Sequence, residues 1–474
     1  MNEAPCLITL DEWDARYTAL RAAGMTEPAY GGPLRRHAAD GNHRLRALHF
    51  DNSPAALRLW NFLLTEEDRL HEARKAGKKI VGAMKDLGTV PVMAYALPEL
   101  VAFYPDGAWW LPCVMEFGTG LLEIAEHLGA GETFCPVRAL LGAFVSQAHF
   151  PIPDLLTCSV GATCDDFAAV AQRLEDLGHP ILWWEMPHRR RPEPGEAAVQ
   201  LPGGATAAAE QVAVVRAGLE QVRSALEACA GRRLDDDALS QGIRAANRIR
   251  HVLNALRREV YGTTPCPLPA LEMQIAEMLA LHYCSDREEC LQVLEALLAE
   301  ARVRTAQGIG VLPRDAVRVF WVNPVADLRA MNLIEECGAA LCGTDYLFYH
   351  ALDLIPEDLR PMEALARTAL ADSMVGPAGD RATRIVREMK RFGAEALVVS
   401  RIPGASHCAT EGAIIRDLVY QQLALPTIEI EVPPVCDGGI AALRTRMEAL
   451  VEITRDNRKK KARTSKRGGA YEHI

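Results

Sequence analysis

The stretch 133–166, TFCPVRALLGAFVSQAHFPIPDLLTCSVGATCDD, constrains this chain most, because it sets cysteines in loops around an apolar strand. Cys135-Pro136 reads as a loop end that caps a helix: proline suits a first helical turn, and the thiol then sits beside exposed backbone donors. Val137, Leu140, Leu141 and Val145 continue as an apolar helix, which Pro151 and Pro153 end. Residues 154–160 form an apolar run of strand length closed by Gly161, the pattern of a buried parallel strand. A second helix opens behind it with Thr163 or Asp165 as N-cap. Cys164 therefore falls at a strand's carboxyl end, where open α/β sheets place ligands. Two readings of these thiols are open: soft ligands for an iron–sulfur cluster, or small hydrophobes packed in a core.

The alternation extends in both directions. Strands are expected at Lys78–Met84, Trp109–Cys113, 154–160 and Pro180–Glu185, with Pro98-Glu99 opening a short helix. A Pro- and Arg-rich break, 186–204, separates this unit from a helical stretch with apolar stripes at Val212, Val215, Leu219 and Leu239, Ile243, Ile249. Asn247 and the arginines around it read as helix-packing or surface residues. Strands return at Val317–Val322, Ala339–Gly343, Ala396–Ser400 and Thr427–Glu431, and the last helix is expected over Gly439–Ile453. Cys408 repeats the placement of Cys164, beyond the third of these strands and before a helix. The fold expected is α/β: two Rossmann- or flavodoxin-like parallel-sheet domains joined by a helical region and preceded by an N-terminal helical segment. The boundaries expected are 1–75, 76–190, 205–310, 315–454 and a basic, disordered tail over 455–474. Trp60, Phe62, Leu63 and Leu64 crowd one turn of the N-terminal segment. That helix is expected to pack either on this chain's own domains or on a sister subunit.

At 474 residues, 49% hydrophobic and 24% charged, the chain has the composition of a globular protein with full cores. Its net charge of −10 disfavours nucleic acid as a main partner, leaving only the tail as a basic run able to touch RNA or an acidic partner. Apolar runs are too short for a membrane span and Met1–Pro5 lacks a signal-peptide pattern, so a cytoplasmic location is expected. The 13 cysteines are then expected to stay reduced, and their spacings include no CxxC pair for a zinc ribbon. No GxxxxGK[ST] phosphate loop is present, which disfavours ATP hydrolysis by that route.

Taken in order, KKIVG, ALPELVAF, TFCPVRALLG, TCDD, ILWWEMPH, RLDDDALSQGIRAANRIRHVLNAL, PLPALEM, LIEECGA, ALVVSRIPGASHC, LPTIEIE and RTRMEALVE resemble the family of 2-hydroxyacyl-CoA dehydratase and ATP-dependent benzoyl-CoA reductase subunits. The resemblance covers most of the chain. It implies a 4Fe-4S cluster on Cys135, Cys164 and Cys408, with the fourth iron open to water or a substrate oxygen, and Cys113 as a further candidate ligand. It implies dehydration of a 2-hydroxyacyl-CoA through a ketyl radical, begun by one electron from a separate ATP-hydrolysing activator. The alternatives are an aromatic acyl-CoA reductase subunit and a non-catalytic cluster-binding partner. A related second subunit, or a second copy, is the implied companion. Glu99 matches the family's Pro-Glu position and is the candidate proton carrier, with a helix-dipole role as the other reading. His188 and His407 read as loop histidines. Residues 86–92 and 345–347 lack the extra cysteines of a double-cubane relative, which disfavours an eight-iron cluster, and Asn323-Pro324 stands where Thr-Gly is commoner.

Overall fold

A computed structural model describes residues 4–25, 32–38, 44–86, 88–109, 120–147, 149–281, 285–346, 352–405, 411–434 and 436–468. The chain starts with an antiparallel ribbon of β1 (Leu7–Ile8) and β2 (Phe50–Asp51) around α1 (Leu10–Ala22), followed by α2 (Pro54–Leu64) and α3 (Glu66–Lys75). The first domain comprises β3 (Lys79–Met84), α4 (Val90–Tyr95), β4 (Leu100–Phe103), α5 (Gly120–His127), α6 (Ala139–Ser146), β5 (Leu155–Gly161), α7 (Asp165–Asp176) and β6 (Ile181–Met186). A hairpin of β7 (Ala198–Gln200) and β8 (Thr206–Ala208) leads into α8 (Ala209–Ala230), α9 (Asp236–Tyr261), α10 (Ala270–Met278) and α11 (Arg287–Gln307). The second domain runs through β9 (Val317–Val322), α12 (Arg329–Glu336), β10 (Ala339–Asp345), α13 (Pro361–Ala371), α14 (Ala378–Phe392), β11 (Ala396–Arg401), α15 (Gly412–Leu423), β12 (Thr427–Glu431) and α16 (Ile440–Gly468).

Each domain holds a four-stranded, all-parallel sheet, ordered β4-β3-β5-β6 and β10-β9-β11-β12. The two orders are the same, with the chain reversing direction between the first and third strands of each sheet, the crevice where doubly wound sheets take ligands. The α/β expectation of two parallel-sheet domains holds. Both faces of each sheet are covered, so the strands read as apolar runs, and alternate residues go to different cores. Val81 and Ala83 of β3 join the central core while Ile80 and Met84 join an outer cluster with α5, α6 and α7. In the second sheet Val319 and Trp321 face the centre, and Phe320 and Val322 face α14 and α15.

The central core takes in the helical layer and the N-terminal segment. Trp60 of α2 is fully buried, its indole N–H donating to Glu272 Oε1 of α10 at 3.1 Å, so this helix packs on its own chain. Asn247, also buried, donates to Ile355 O and accepts from Ile355 N–H, both at 2.9 Å, and Arg250 reaches Asp353 O at 2.6 Å. These residues of α9 hold the 352–357 loop of the second domain.

Two local expectations are corrected. Pro98-Glu99 precedes a strand rather than opening a helix: four apolar residues, Leu100–Phe103, are all buried, and pairing with β3 outweighs the proline signal. Of the strand expected at Trp109–Cys113 only Trp109 is described, at the end of the 3-10 turn Pro105–Trp109, and residues 110–113 lie outside the described residues. The last helix does not stop at Ile453 but runs on through Gly468, carrying 455–468 of the expected tail as helix; Arg458 anchors it by donating to Glu395 and to Asp315 O at 3.0 Å.

Candidate functional site

The two sheets close their first and third strands with the same device. Lys85 after β3 and Asn323 after β9 both take the left-handed conformation, with φ of 52° and 68°. The Ser159 hydroxyl at the end of β5 donates to Lys85 O at 2.6 Å, and the Ser400 hydroxyl of β11 donates to Asn323 O at 3.0 Å. Beyond these serines the third strands lead to Cys164 in one domain and to residues 406–410, with Cys408, in the other. Cys408, His407 and Cys113 lie outside the described residues.

Cys164 is itself the N-cap of α7, so neither Thr163 nor Asp165 takes that place. Thr163 is held at φ 89°, a strained conformation for a β-branched residue that turns the chain sharply into the helix. Cys135 is the N-cap of the Pro136–Arg138 turn that leads into α6. Asp166 joins the two loops: its Oδ1 accepts from Cys135 N–H at 3.4 Å, and its Oδ2 lies 3.8 Å from Cys164 Sγ. Both thiols are half-buried. Burial pushes the Cys164 thiol up to about 11; the Phe167 N–H works against this and the Asp166 charge adds to it. The Lys85 ammonium, whose Nζ donates to Gly161 O at 3.2 Å, also acts to lower the Cys164 pKa. Burial lowers the pKa of Lys85 itself, while Cys158, Cys164 and Asp165 pull it back up.

The second domain meets this site through its own loop. Gly404, at φ 80°, lies so close to the Glu132–Phe134 segment that a Cβ there would stand 2.4 Å from Phe134 O and 2.7 Å from Glu132 O. The chain between β11 and residue 406 thus rests on the residues that run into Cys135. On the far side of 406–410, Glu411 is held by Arg381, which is fully buried. Arg381 donates to Glu411 Oε2 at 2.8 Å, Asp345 Oδ2 at 2.7 Å and Asn323 Oδ1 at 2.7 Å, tying together the carboxyl ends of β9 and β10.

Glu99 stands elsewhere. It precedes β4, its carbonyl accepts from Lys79 N–H at 2.9 Å, and its carboxylate pairs with Arg232 at 3.3 Å. That is the amino edge of the first sheet, a strand length of about 13 Å from the edge carrying Cys164. The helix at the carboxyl end of β3 is α4, with Pro91 and no acid in its first turn. Glu99 is thus placed apart from Cys135 and Cys164. His188 is an exposed loop residue whose carbonyl accepts from Gln211 at 2.7 Å.

Sequence reasoning missed a carboxyl pair on the cysteine edge. Asp106 sits in the turn after β4, and Glu66 begins α3; burial pushes both up to about 7, with Glu66 adding its charge to Asp106. The turn Pro105-Asp106-Gly107 would have drawn notice had the strand before it been placed at Leu100–Phe103.

Cys135 and Cys164 are of the kind an iron–sulfur cluster needs: soft donors at loop ends, facing one shared carboxylate, with backbone N–H groups beside them. Among the described residues no group of three His, Cys, Asp or Glu forms a metal cage. None of the helices searched among them is long and apolar enough to cross a membrane.

The family model for the 2-hydroxyglutaryl-CoA dehydratase D-component matches residues 96–454, a span that takes in Cys113, Cys135, Cys164 and Cys408. No curated protein matches the chain. With two like-ordered parallel sheets and a family match over most of its length, the chain belongs to the 2-hydroxyglutaryl-CoA dehydratase D-component family and is a dehydratase-type subunit.

Proposed function

We propose that this chain is the iron–sulfur subunit of a 2-hydroxyacyl-CoA dehydratase, holding a 4Fe-4S cluster through Cys135, Cys164 and Cys408. The observation that carries the proposal is the contact of Gly404 with Phe134, which sets the loop leading to Cys408 against the loop that ends at Cys135. Asp166, shared by the Cys135 amide and the Cys164 thiol, supports the same grouping. When bound, such a cluster supplies a carrier for one electron and a Lewis-acidic iron.

The chain's own residues prepare the place. Cys135 and Cys164 bind as thiolates, so ligation has to release the proton that burial holds on Cys164, and Lys85 offsets the charge this creates. Arg381 keeps Glu411, and with it the end of the Cys408 loop, fixed to the second sheet. Asp166 orients the two described ligands, the work of an outer-shell carboxylate. The family reading also calls for a second, related subunit and a separate ATP-dependent electron donor, consistent with the lack of a phosphate loop here.

The test is product analysis. Anaerobically purified protein with its companion subunit, a low-potential electron donor and a panel of 2-hydroxyacyl-CoA thioesters should form the 2-enoyl-CoA with loss of water. Reduction of an aromatic acyl-CoA without dehydration of any 2-hydroxyacyl-CoA would replace this reading with that of a reductase subunit.

A further inference from the structure

A cavity of about 330 Å³ opens between the β7–β8 turn and the first half of α14, lined by five arginines and one carboxylate, Asp380. Thr383, Arg384 and Arg387 lie on one face of α14 at helical spacing. Opposite them Gly203 comes so near that a Cβ would stand 2.7 Å from Asp353 Oδ2 and 3.3 Å from Arg384 Nη1, so only glycine lets the turn form this wall. The guanidiniums differ in how they are engaged. Arg384 is held by Asp353 at 2.8 and 2.9 Å, and Arg381 by the acids of the second-sheet edge. Asp380 is shared by Arg189 at 3.4 Å and Arg191 at 3.2 Å, which neutralises the one carboxylate lining the cavity. Arg387 is exposed and has no ion pair among the described residues, and the Arg191 side chain is 81% exposed. Two exposed cations, Arg387 and the Asp380-paired Arg191, thus overlook a cleft that pre-oriented arginines and a glycine turn have already shaped, with Thr383 also in its lining.

We infer that this cleft binds the phosphate groups of an adenine-nucleotide ligand, namely the nucleotide end of the CoA thioester. The assignment rests on the dehydratase reading for the identity of the ligand, while the anion chemistry comes from the cleft. Guanidiniums form paired charge-assisted bonds to phosphate oxygens, and a cavity of this size admits the phosphate end alone, leaving the acyl arm outside it. Arg381 connects the two places, since it lines the cleft and also holds Glu411 at the end of the Cys408 loop. A ligand seated there has its thioester end free to reach the cysteine edge.

Calorimetric titration of the anaerobically purified protein with free CoA, ATP and inorganic pyrophosphate tests this. CoA should bind, pyrophosphate should compete with it, and Arg191→Glu or Arg387→Glu should each weaken CoA binding by about tenfold or more. Arg387→Lys should retain part of the affinity, and Arg446→Glu on α16 should change nothing. Both sites are on the surface, so circular dichroism should report unaltered folding. CoA affinity unchanged within twofold in both charge reversals would overturn the site, and ATP binding as tightly as CoA with the same dependence on Arg387 would overturn CoA as its occupant. CoA binding that the two variants abolish, in a protein that converts no 2-hydroxyacyl-CoA, would support the cleft and retire the dehydratase reading. Conversion with CoA affinity indifferent to Arg191 and Arg387 would do the reverse.

Discussion

Arg381 shows how much of the site rests on one side chain. It is buried with three acceptors from three different elements, and Asp345, one of them, is buried too. Arg381→Ala leaves a buried carboxylate without its cation, which costs about 3–5 kcal/mol; urea unfolding should register the loss, with the midpoint falling and the slope unchanged. Glu99→Gln is the contrasting case. Its partner Arg232 is more than half exposed, and a pair of this kind contributes at most about 1 kcal/mol, so stability and iron content should both stay close to wild type. Glu99 attracts notice in the sequence through its Pro-Glu context, whereas nothing in the order of residues marks Arg381 as buried. Its three partners lie 30 to 58 positions away along the chain and meet it only through the sheet.

Glu272 ties residue chemistry to pH. Its carboxyl accepts from Asp51 N–H at 2.9 Å and from Trp60, and burial, reinforced by the Asp51 charge, pushes it up to about 8. The folded state therefore keeps a proton that the unfolded chain gives up in the usual carboxylate range. This contribution to stability is fully present below that range and is lost as pH rises through about 8, at about 1.4 kcal/mol per pH unit between the two. Glu272→Gln should flatten the pH dependence of unfolding over that window by one proton. A slope identical to wild type would show that Glu272 is already ionised in the fold.

At the scale of elements, the strands of the second sheet were legible almost to the residue, because Val317–Val322 and Ala396–Arg401 are apolar on both faces and bounded by turn residues. The first sheet was misread at one strand. Leu100–Phe103 is short and follows a proline, and only its pairing with Lys79–Gly82 reveals it as a strand. The α2 helix was seen as too apolar to stand free, but its sequence could not say which surface covers it. The structure covers Trp60 with the chain's own α10, so Trp60→Ala should cost about 3–5 kcal/mol and leave the oligomeric state of the folded fraction unchanged by light scattering. Gly404 makes the complementary prediction. Valine there meets Phe134 O and an unfavourable φ, so Gly404→Val should part the two cysteine loops and lower iron content while far-ultraviolet circular dichroism stays that of wild type.

For the whole molecule, the sequence made legible two α/β units with a cysteine beyond the third strand of each, and it did not reveal how those units face one another. That knowledge comes from contacts between residues far apart in the chain: Gly404 on Phe134, Arg189 N–H on Val375 O at 2.8 Å, and Asn247 on Ile355. The arginine cleft was hidden for the same reason, its residues divided between the Pro- and Arg-rich break and a helix nearly two hundred positions further along the chain. Bringing the two cysteine-bearing edges together is what the fold contributes to a cluster site. The most direct measurement is iron and acid-labile sulfide in anaerobically purified protein, wild type against single cysteine variants. About four irons and four sulfides per chain are expected for wild type. Cys135→Ser, Cys164→Ser and Cys408→Ser should each lose most of this, whereas Cys229→Ser on α8 should lose none. Full iron and sulfide in all three of the loop variants would contradict the account.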